Sequence, residues 1–309
     1  MSFSSEAKGS LARLIPEKRC CQQAELLALF RSDGVVQNQP RQEGYSLQFE
    51  TENAAVAIKI FKLLKTLYGV RVETSVRRRA RLRKNNTYQL TIASREATDA
   101  VLKALELEYS DRLEDQYLEN LFSGDCCYQS YLRGSFLGGG SVSNPEGDYH
   151  LELTSRSASN SYFLLTIMRH FGLNPRVSKR KHKYVTYLKG SDEIVTFLNL
   201  IGAHKALLDF ENVRILKELR NNVNRAVNCE TANLGKTVDT GVRQVEAIRR
   251  LDLVTGIENL PVGLREAARL RLECPEATLK ELGEMMDPPR SKSAVNHRLR
   301  KLEDLADKL

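Results

Sequence analysis

The chain has 309 residues, 41% of them hydrophobic and 28% charged, which is enough for two or three folded domains with real cores. Its formal charge of +8 favours an anionic partner, above all nucleic acid. No run approaches the ~18 to 20 apolar residues of a membrane span. The polar start at residues 1–8 lacks the apolar core of a signal peptide, so a cytoplasmic protein with no membrane partner is expected.

Six cysteines fall as two adjacent pairs, Cys20-Cys21 and Cys126-Cys127, plus Cys229 and Cys274. None forms a C-x2-C or a Cys/His pair at zinc spacing, and neighbouring cysteines seldom ligate one metal together. Buried, reduced thiols are expected, with no metal site and no cofactor.

Taken in order, residues 20–34 form a small-and-apolar helix that ends at Gly34. Residues 45–50 alternate as a strand, and 54–67 carry Val56, Ile60, Phe61, Leu64 and Leu67 at helical spacing. Strands at 70–74 and 88–92 flank a basic segment that holds Arg77, Arg78, Arg79, Arg81, Arg83 and Lys84, and a helix from Glu96 to about Leu107 closes the run.

The second half repeats this order. A helix over 126–140 ends in three glycines, a strand covers 149–154 and a helix 161–171. A basic hairpin then holds Lys179, Arg180, Lys181 and Lys183, and a helix at 192–200 closes the half. Each half reads α-β-β-α-β-β-α, with matching elements about 96 to 106 residues apart. The small residues Ala28 and Gly134 suit two helices that cross with their backbones close together. A closing Gly suits the left-handed residue that ends a helix.

The stretches 26–34 and 132–140 resemble the signature nonapeptide of LAGLIDADG homing endonucleases. That resemblance implies two central helices and two sheets that saddle the DNA major groove. It also implies an acidic residue before each final glycine to hold the divalent metals that cut the phosphodiester. Asp33 stands at that position in the first half, but Gly139 stands there in the second. Two-metal cleavage needs carboxylates from both sides, so Asp33 is a vestigial metal position, no catalytic residue is assigned, and a non-enzyme is expected. An active homing endonuclease would need a second carboxylate.

A single basic hairpin is ordinarily a solvated turn. Recurrence at the same place in both repeats favours a second DNA surface made of these cationic ribbons. The competing reading is a saddle that holds a protein partner.

From 204 to about 228 a charged exit helix is expected, followed by an all-α module with helices at 240–251 and 264–272. A short capped helix at 278–286 and a break at 287–290 precede a helix over 291–302, which Ser291 or Ser293 can cap. Val295, Leu299 and Leu302 form its inward stripe, while Lys292, Ser293, Asn296, His297, Arg300 and Lys301 face outward. No acidic residue lies between Arg290 and Leu302. This is the layout of a helix-turn-helix, at about 275–308, whose second helix reads base edges of double-stranded DNA.

A degenerate LAGLIDADG pair joined to this C-terminal module resembles the WhiA family of bacterial regulators over essentially the whole chain, and residues 293–302 lie close to that family's most recognisable stretch. The resemblance implies a nucleoid-associated, sequence-specific DNA-binding protein that acts in sporulation, cell division or chromosome segregation. The expected architecture is α+β: a pseudosymmetric double LAGLIDADG-like domain at 1–228 (halves about 20–108 and 126–203, exit helix 204–228), then a helical DNA-binding domain at 229–309.

Overall fold

The structure is a computed structural model, and it describes residues 2–39, 44–78, 86–105 and 122–309. Arg79, Arg81, Arg83 and Lys84 of the first basic hairpin lie outside the described residues.

An N-terminal helix α1 (Phe3–Leu11) precedes the duplication. The first half comprises α2 (Arg19–Asp33), β1 (Gly34–Gln39), β2 (Gly44–Thr51), α3 (Ala54–Tyr68), β3 (Glu73–Arg78), β4 (Asn86–Ile92) and α4 (Arg95–Ala104). The second comprises α5 (Asp125–Gly139), β5 (Gly140–Val142), β6 (Leu151–Ser155), α6 (Ala158–His170), β7 (Arg176–Arg180), β8 (Lys183–Leu188) and α7 (Ser191–Leu200). The order is the expected α-β-β-α-β-β-α, twice. Each half has an antiparallel four-stranded sheet, in order β1-β2-β4-β3 and β5-β6-β8-β7.

Local chemistry sets the element ends. The Asn53 side chain accepts from the N–H groups of Ala55 and Val56 to start α3, and Ser157 accepts from Asn160 N–H to start α6. Left-handed glycines follow α3 and α6, at Gly69 (φ 65°) and Gly172 (φ 76°). The expectation of left-handed glycines after the central helices does not hold. Gly34 and Gly140 are extended (φ −74° and −83°), and a Cβ on either would run into the ring of Phe30 or Phe136. These glycines leave room for an aromatic ring one turn back.

The first sheet also starts later than expected at β3. Val70 and Val72 are drawn half-buried onto the core, and pairing with β4 begins only at Glu73 opposite Thr91.

Helices α2 and α5 form the axis of the duplicated region. A Cβ on Gly134 would collide with the Glu25 carbonyl and stand 2.8 Å from Ala28 Cβ, while one on Gly138 would stand 2.6 Å from Ser32 Cβ. Glycine at these two positions sets how closely the backbones approach. Around this axis a single apolar core takes in Leu27, Phe49, Leu64, Tyr131, Phe136, Leu153 and Phe197. It also encloses an ionic group: the fully buried Glu25 carboxylate pairs with Lys59 and lies 3.7 Å from Arg133 Nη1. Lys59 Nζ donates to Leu14 O (2.6 Å) and Arg133 Nε to Ile201 O (2.7 Å), which ties loop carbonyls to the axis.

The exit helix expected to end near 228 and the separate helix expected at 240–251 are one helix, α8 (His204–Val254). Every residue from 218 to 236 is exposed, so no buried stripe marks the helix there, but the stretch contains no proline and Gly235 as its one glycine. The chain divides into two compact units, Met1–Lys217 and Glu218–Leu309. In the second unit the end of α8 packs with a 3-10 turn (Ile257–Asn259), α9 (Val262–Glu273), α10 (Leu279–Met285) and α11 (Lys292–Ala306). The core there includes Ile248, Leu251, Ala268, Leu282, Val295, Leu299 and Leu302.

Candidate nucleic-acid interface

Helices α10 and α11 form the helix-turn-helix. Thr278 opens α10 with a capping box: Glu281 N–H donates to Thr278 Oγ1 (3.3 Å) and Thr278 N–H donates to Glu281 Oε2 (2.7 Å). That backbone donor holds the Glu281 carboxyl below the usual range. In the turn, Arg290 N–H donates to Gly283 O at 2.8 Å, and a Cβ on Gly283 would collide with the Arg290 carbonyl. Gly283 therefore lets the chain fold back against α10. Ser291, not Ser293, caps α11, its Oγ accepting from Ala294 N–H at 3.3 Å.

The orientation of α11 is fixed from α9. Glu266 accepts from Arg298 Nη1 (3.1 Å) through one carboxylate oxygen and from Asp287 N–H (2.8 Å) through the other. Arg298 is thus committed to the scaffold. Away from the core Lys292, Ser293, His297, Arg300 and Lys301 are exposed and Asn296 is half-buried. None of the six enters a side-chain hydrogen bond or an ion pair among the described residues. A short helix with unengaged Asn, Arg and Lys side chains, backed by a braced neighbour, can offer bidentate donors to an external surface.

Strand register sorts the basic residues of the sheets by face, because residues directly opposite each other share a face. In the second sheet Arg176 pairs with Tyr187 and Tyr187 with Glu152, while Arg180 pairs with Lys183, so these side chains stand on the polar face away from the helices. Lys179 pairs with Tyr184 on the other face, its Nζ 5.6 Å from that ring's centroid. Lys181, at φ 53°, lies in the two-residue turn between β7 and β8. The basic hairpin is therefore split between two faces. Arg180 is also already engaged, with its Nη1 3.2 Å from Glu152 Oε2. In the first sheet Arg77 pairs with Thr87 on the polar face with Ser75 and Gln89, and Arg78 closes β3 opposite Asn86.

The divalent-metal chemistry of the fold family requires facing carboxylates at the ends of α2 and α5. Asp33 closes α2, where Arg156 Nη2 comes to 4.0 Å and Arg156 Nη1 donates to Gly34 O at 3.2 Å. Burial raises the Asp33 carboxyl, with Arg156, Lys8 and Lys183 acting against the rise. Burial lowers Lys8 to about 8, the Asp33 charge opposing it. At the matching end of α5, Gly139 lies 106 residues later, and a Cβ there would stand 2.5 Å from Thr154 O. Cations stand around Asp33, Glu50 is a further carboxylate that acts on it, and a Cβ at Gly139 would meet backbone, so the end of α5 supplies no facing carboxylate for a two-metal centre.

At the other end of the same helix pair three of the four paired cysteines converge. The Sγ atoms of Cys20, Cys21 and Cys127 all lie within 4.8 Å of one another, and Cys126 is the neighbour of Cys127 in the first turn of α5. Burial pushes Cys21 up to about 11 and Cys127 up to about 12, whereas Cys20, held by hydrogen bonds from Cys127 and Ser123 that outweigh its desolvation, is lowered.

Sequence models of the WhiA N-terminal LAGLIDADG-like domain, the WhiA LAGLIDADG-like domain and the WhiA C-terminal HTH domain match residues 19–108, 128–220 and 223–306. The chain belongs to the WhiA family. It is 52% identical to the "Probable cell division protein WhiA" of Desulforamulus reducens, over 100% of this chain and 96% of that protein. To the WhiA of that name from Heliobacterium modesticaldum it is 51% identical, over 99% and 96%. The full-length DUF199/WhiA crystal structure from Thermatoga maritima superposes with a TM-score of 0.61 at 25% identity, covering 100% of this chain and 99% of that one.

Within this WhiA-family fold, sequence reasoning missed three groupings. Arg176 shares the polar sheet face with Lys183, a match visible only from strand register. The Glu25, Lys59 and Arg133 cluster joins three elements. The cysteine convergence did leave a trace: both pairs occupy the second and third positions of helices 106 residues apart.

Proposed function

We propose that this WhiA-family chain is a sequence-specific double-stranded DNA-binding regulator that does not cut DNA, with α11 as its reading head. The observation that carries this reading is the outward face of α11, where six unengaged polar and basic side chains stand in a stretch free of acidic residues. Lys292 and Lys301 neutralise phosphates, and Asn296 and Arg300 take adenine and guanine edges. The polar sheet face, through Arg77, Arg176 and Lys183, adds sequence-independent phosphate contacts.

The relatives' name, probable cell division protein, supports a role in cell division; action on the nucleoid in sporulation or chromosome segregation is what the family resemblance adds to the proposal. No described helix is long and apolar enough to cross a membrane. The test is genomic footprinting by the full-length protein: a defined set of protected sites that Arg300→Ala abolishes supports the reading, and uniform sequence-blind protection contradicts it.

A second reading keeps DNA on α11 alone and gives the saddle a protein partner. It is favoured by Glu50, Glu73 and Glu152, which share the polar faces with the arginines and reduce their net charge. The domain boundary proposed near 228 lies inside α8, and cutting there separates the two readings by fragment affinity.

A further inference from the structure

The first turns of α2 and α5 meet about 20 Å along the helix pair from Asp33, at the 1.5 Å rise of an α-helix. Two cysteines come from each helix, and Cys20 and Cys21 of α2 meet Cys127 of α5. Three of the four sulfurs lie within 4.8 Å of one another. A tetrahedral ion with metal–sulfur bonds near 2.3 Å holds its sulfurs ~3.8 Å apart, so the described positions need only a small contraction around an ion. A polynuclear iron–sulfur cluster distributes its thiolates over separate irons and requires a wider spread.

The surroundings suit a closed structural centre. Cys21 and Cys127 are buried, while Cys20 and Cys126 are half-buried and leave a path for entry. Ser130 Oγ donates to Cys126 O at 2.8 Å, which holds the first turn of α5 in place beside the sulfurs. Two helix N-termini supply partial positive charge to anionic sulfur. The ligand class follows from softness: four sulfurs with no carboxylate among them select zinc-like thiophilic ions over magnesium or calcium.

We propose that Cys20, Cys21 and Cys127, completed by Cys126, bind one thiophilic metal ion of the zinc class that clasps the two halves of the duplication at the start of their central helices. Each thiol gives its proton to solvent as its sulfur–metal bond forms, and no electron is transferred. The clasp joins residues 106 positions apart, so its binding energy adds directly to the stability of the pseudosymmetric interface.

The test uses the full-length protein, purified under reducing conditions without chelator. Elemental analysis is expected to find about one zinc per chain. After metal removal, cobalt(II) is expected to restore one equivalent with the intense visible bands and sulfur-to-cobalt charge transfer of a tetrahedral thiolate site, and the melting temperature is expected to fall on removal and recover on reloading. Cys229→Ser and Cys274→Ser keep the cobalt spectrum, and Cys20→Ser with Cys127→Ser loses it. If that double variant does not fold, as judged by circular dichroism, the wild-type cobalt titration decides. Folded, reduced wild-type protein that takes up no cobalt, or gives only the weak spectrum of an octahedral ion, overturns the proposal, as does recovery of the four cysteines only as two disulfides that bind no metal once reduced.

Discussion

A Cβ atom on Gly139 would stand 2.5 Å from the carbonyl oxygen of Thr154, the strand residue against which the end of α5 packs. The position that carries an acidic ligand in the homing endonucleases is thus closed to any side chain by backbone, and backbone yields less readily than a rotamer. Gly139→Asp is expected to destabilise the protein by about 1 to 3 kcal/mol through overpacking and to leave it without Mg²⁺- or Mn²⁺-dependent cleavage. Denaturation midpoints and a supercoiled-plasmid nicking assay check both parts. Nicking by the wild type that Asp33→Ala abolishes would refute the non-enzyme reading.

The reading head should behave as a base reader and not merely as a cationic patch. Asn296→Ala or Arg300→Ala is expected to cost ~1 to 3 kcal/mol of discrimination at one base pair while non-specific affinity changes little. Competition binding against single-base variants of a footprinted site measures this. Wild-type preference in both variants would remove α11 from base recognition.

Register predicts which sheet cations meet phosphates. Replacing Arg77, Arg176 and Lys183 together by Ala should flatten the log-log salt slope of the full chain by up to ~2.7, at ~0.9 per contact. Lys179→Ala, on the opposite face beside Tyr184, should leave the slope unchanged. Equal slopes in all three proteins would assign the saddle to a protein partner.

The buried Glu25–Lys59 pair invites a stability test. Glu25→Ala leaves the Lys59 charge without its carboxylate in a site that already lowers it by burial, and a loss of about 3 to 5 kcal/mol is expected. Pairing Glu25→Leu with Lys59→Met removes that pair but leaves the Arg133 guanidinium, 3.7 Å from the lost carboxylate, so only part of the loss should be recovered in urea denaturation. A double variant no more stable than the single would show that the ions are needed for packing as well.

Glu281 sets a pH dependence in the second unit. Its folded carboxyl lies below the unfolded value of ~4.3, so the capping box contributes stability above that value and loses it as pH falls through the folded one. Melting of the protein at roughly pH 5 and pH 3 should show a smaller drop in Glu281→Gln, which keeps the cap geometry without the titration. An identical drop would place the acid sensitivity elsewhere.

The amino-acid sequence by itself determined the duplication, the close crossing at Ala28 and Gly134, the missing second carboxylate at Gly139 and the outward face of α11. Each is a local matter: periodicity, a small residue or an absent oxygen is legible within one segment. Tertiary structure decided what depends on partners distant in the chain. Whether Lys179 or Arg180 faces outward is a question of register with β8, since one residue of offset turns a side chain to the other face. That the helix of 204–254 continues without interruption through 218–236 depends on the lack of any proline there and not on a buried stripe. Convergence of Cys20, Cys21 and Cys127 required α2 and α5 to start at the same level of one axis. Adjacent cysteines are poor ligands on one helix, and only the packing of two such helices brings the sulfurs of Cys20, Cys21 and Cys127 within 4.8 Å of one another.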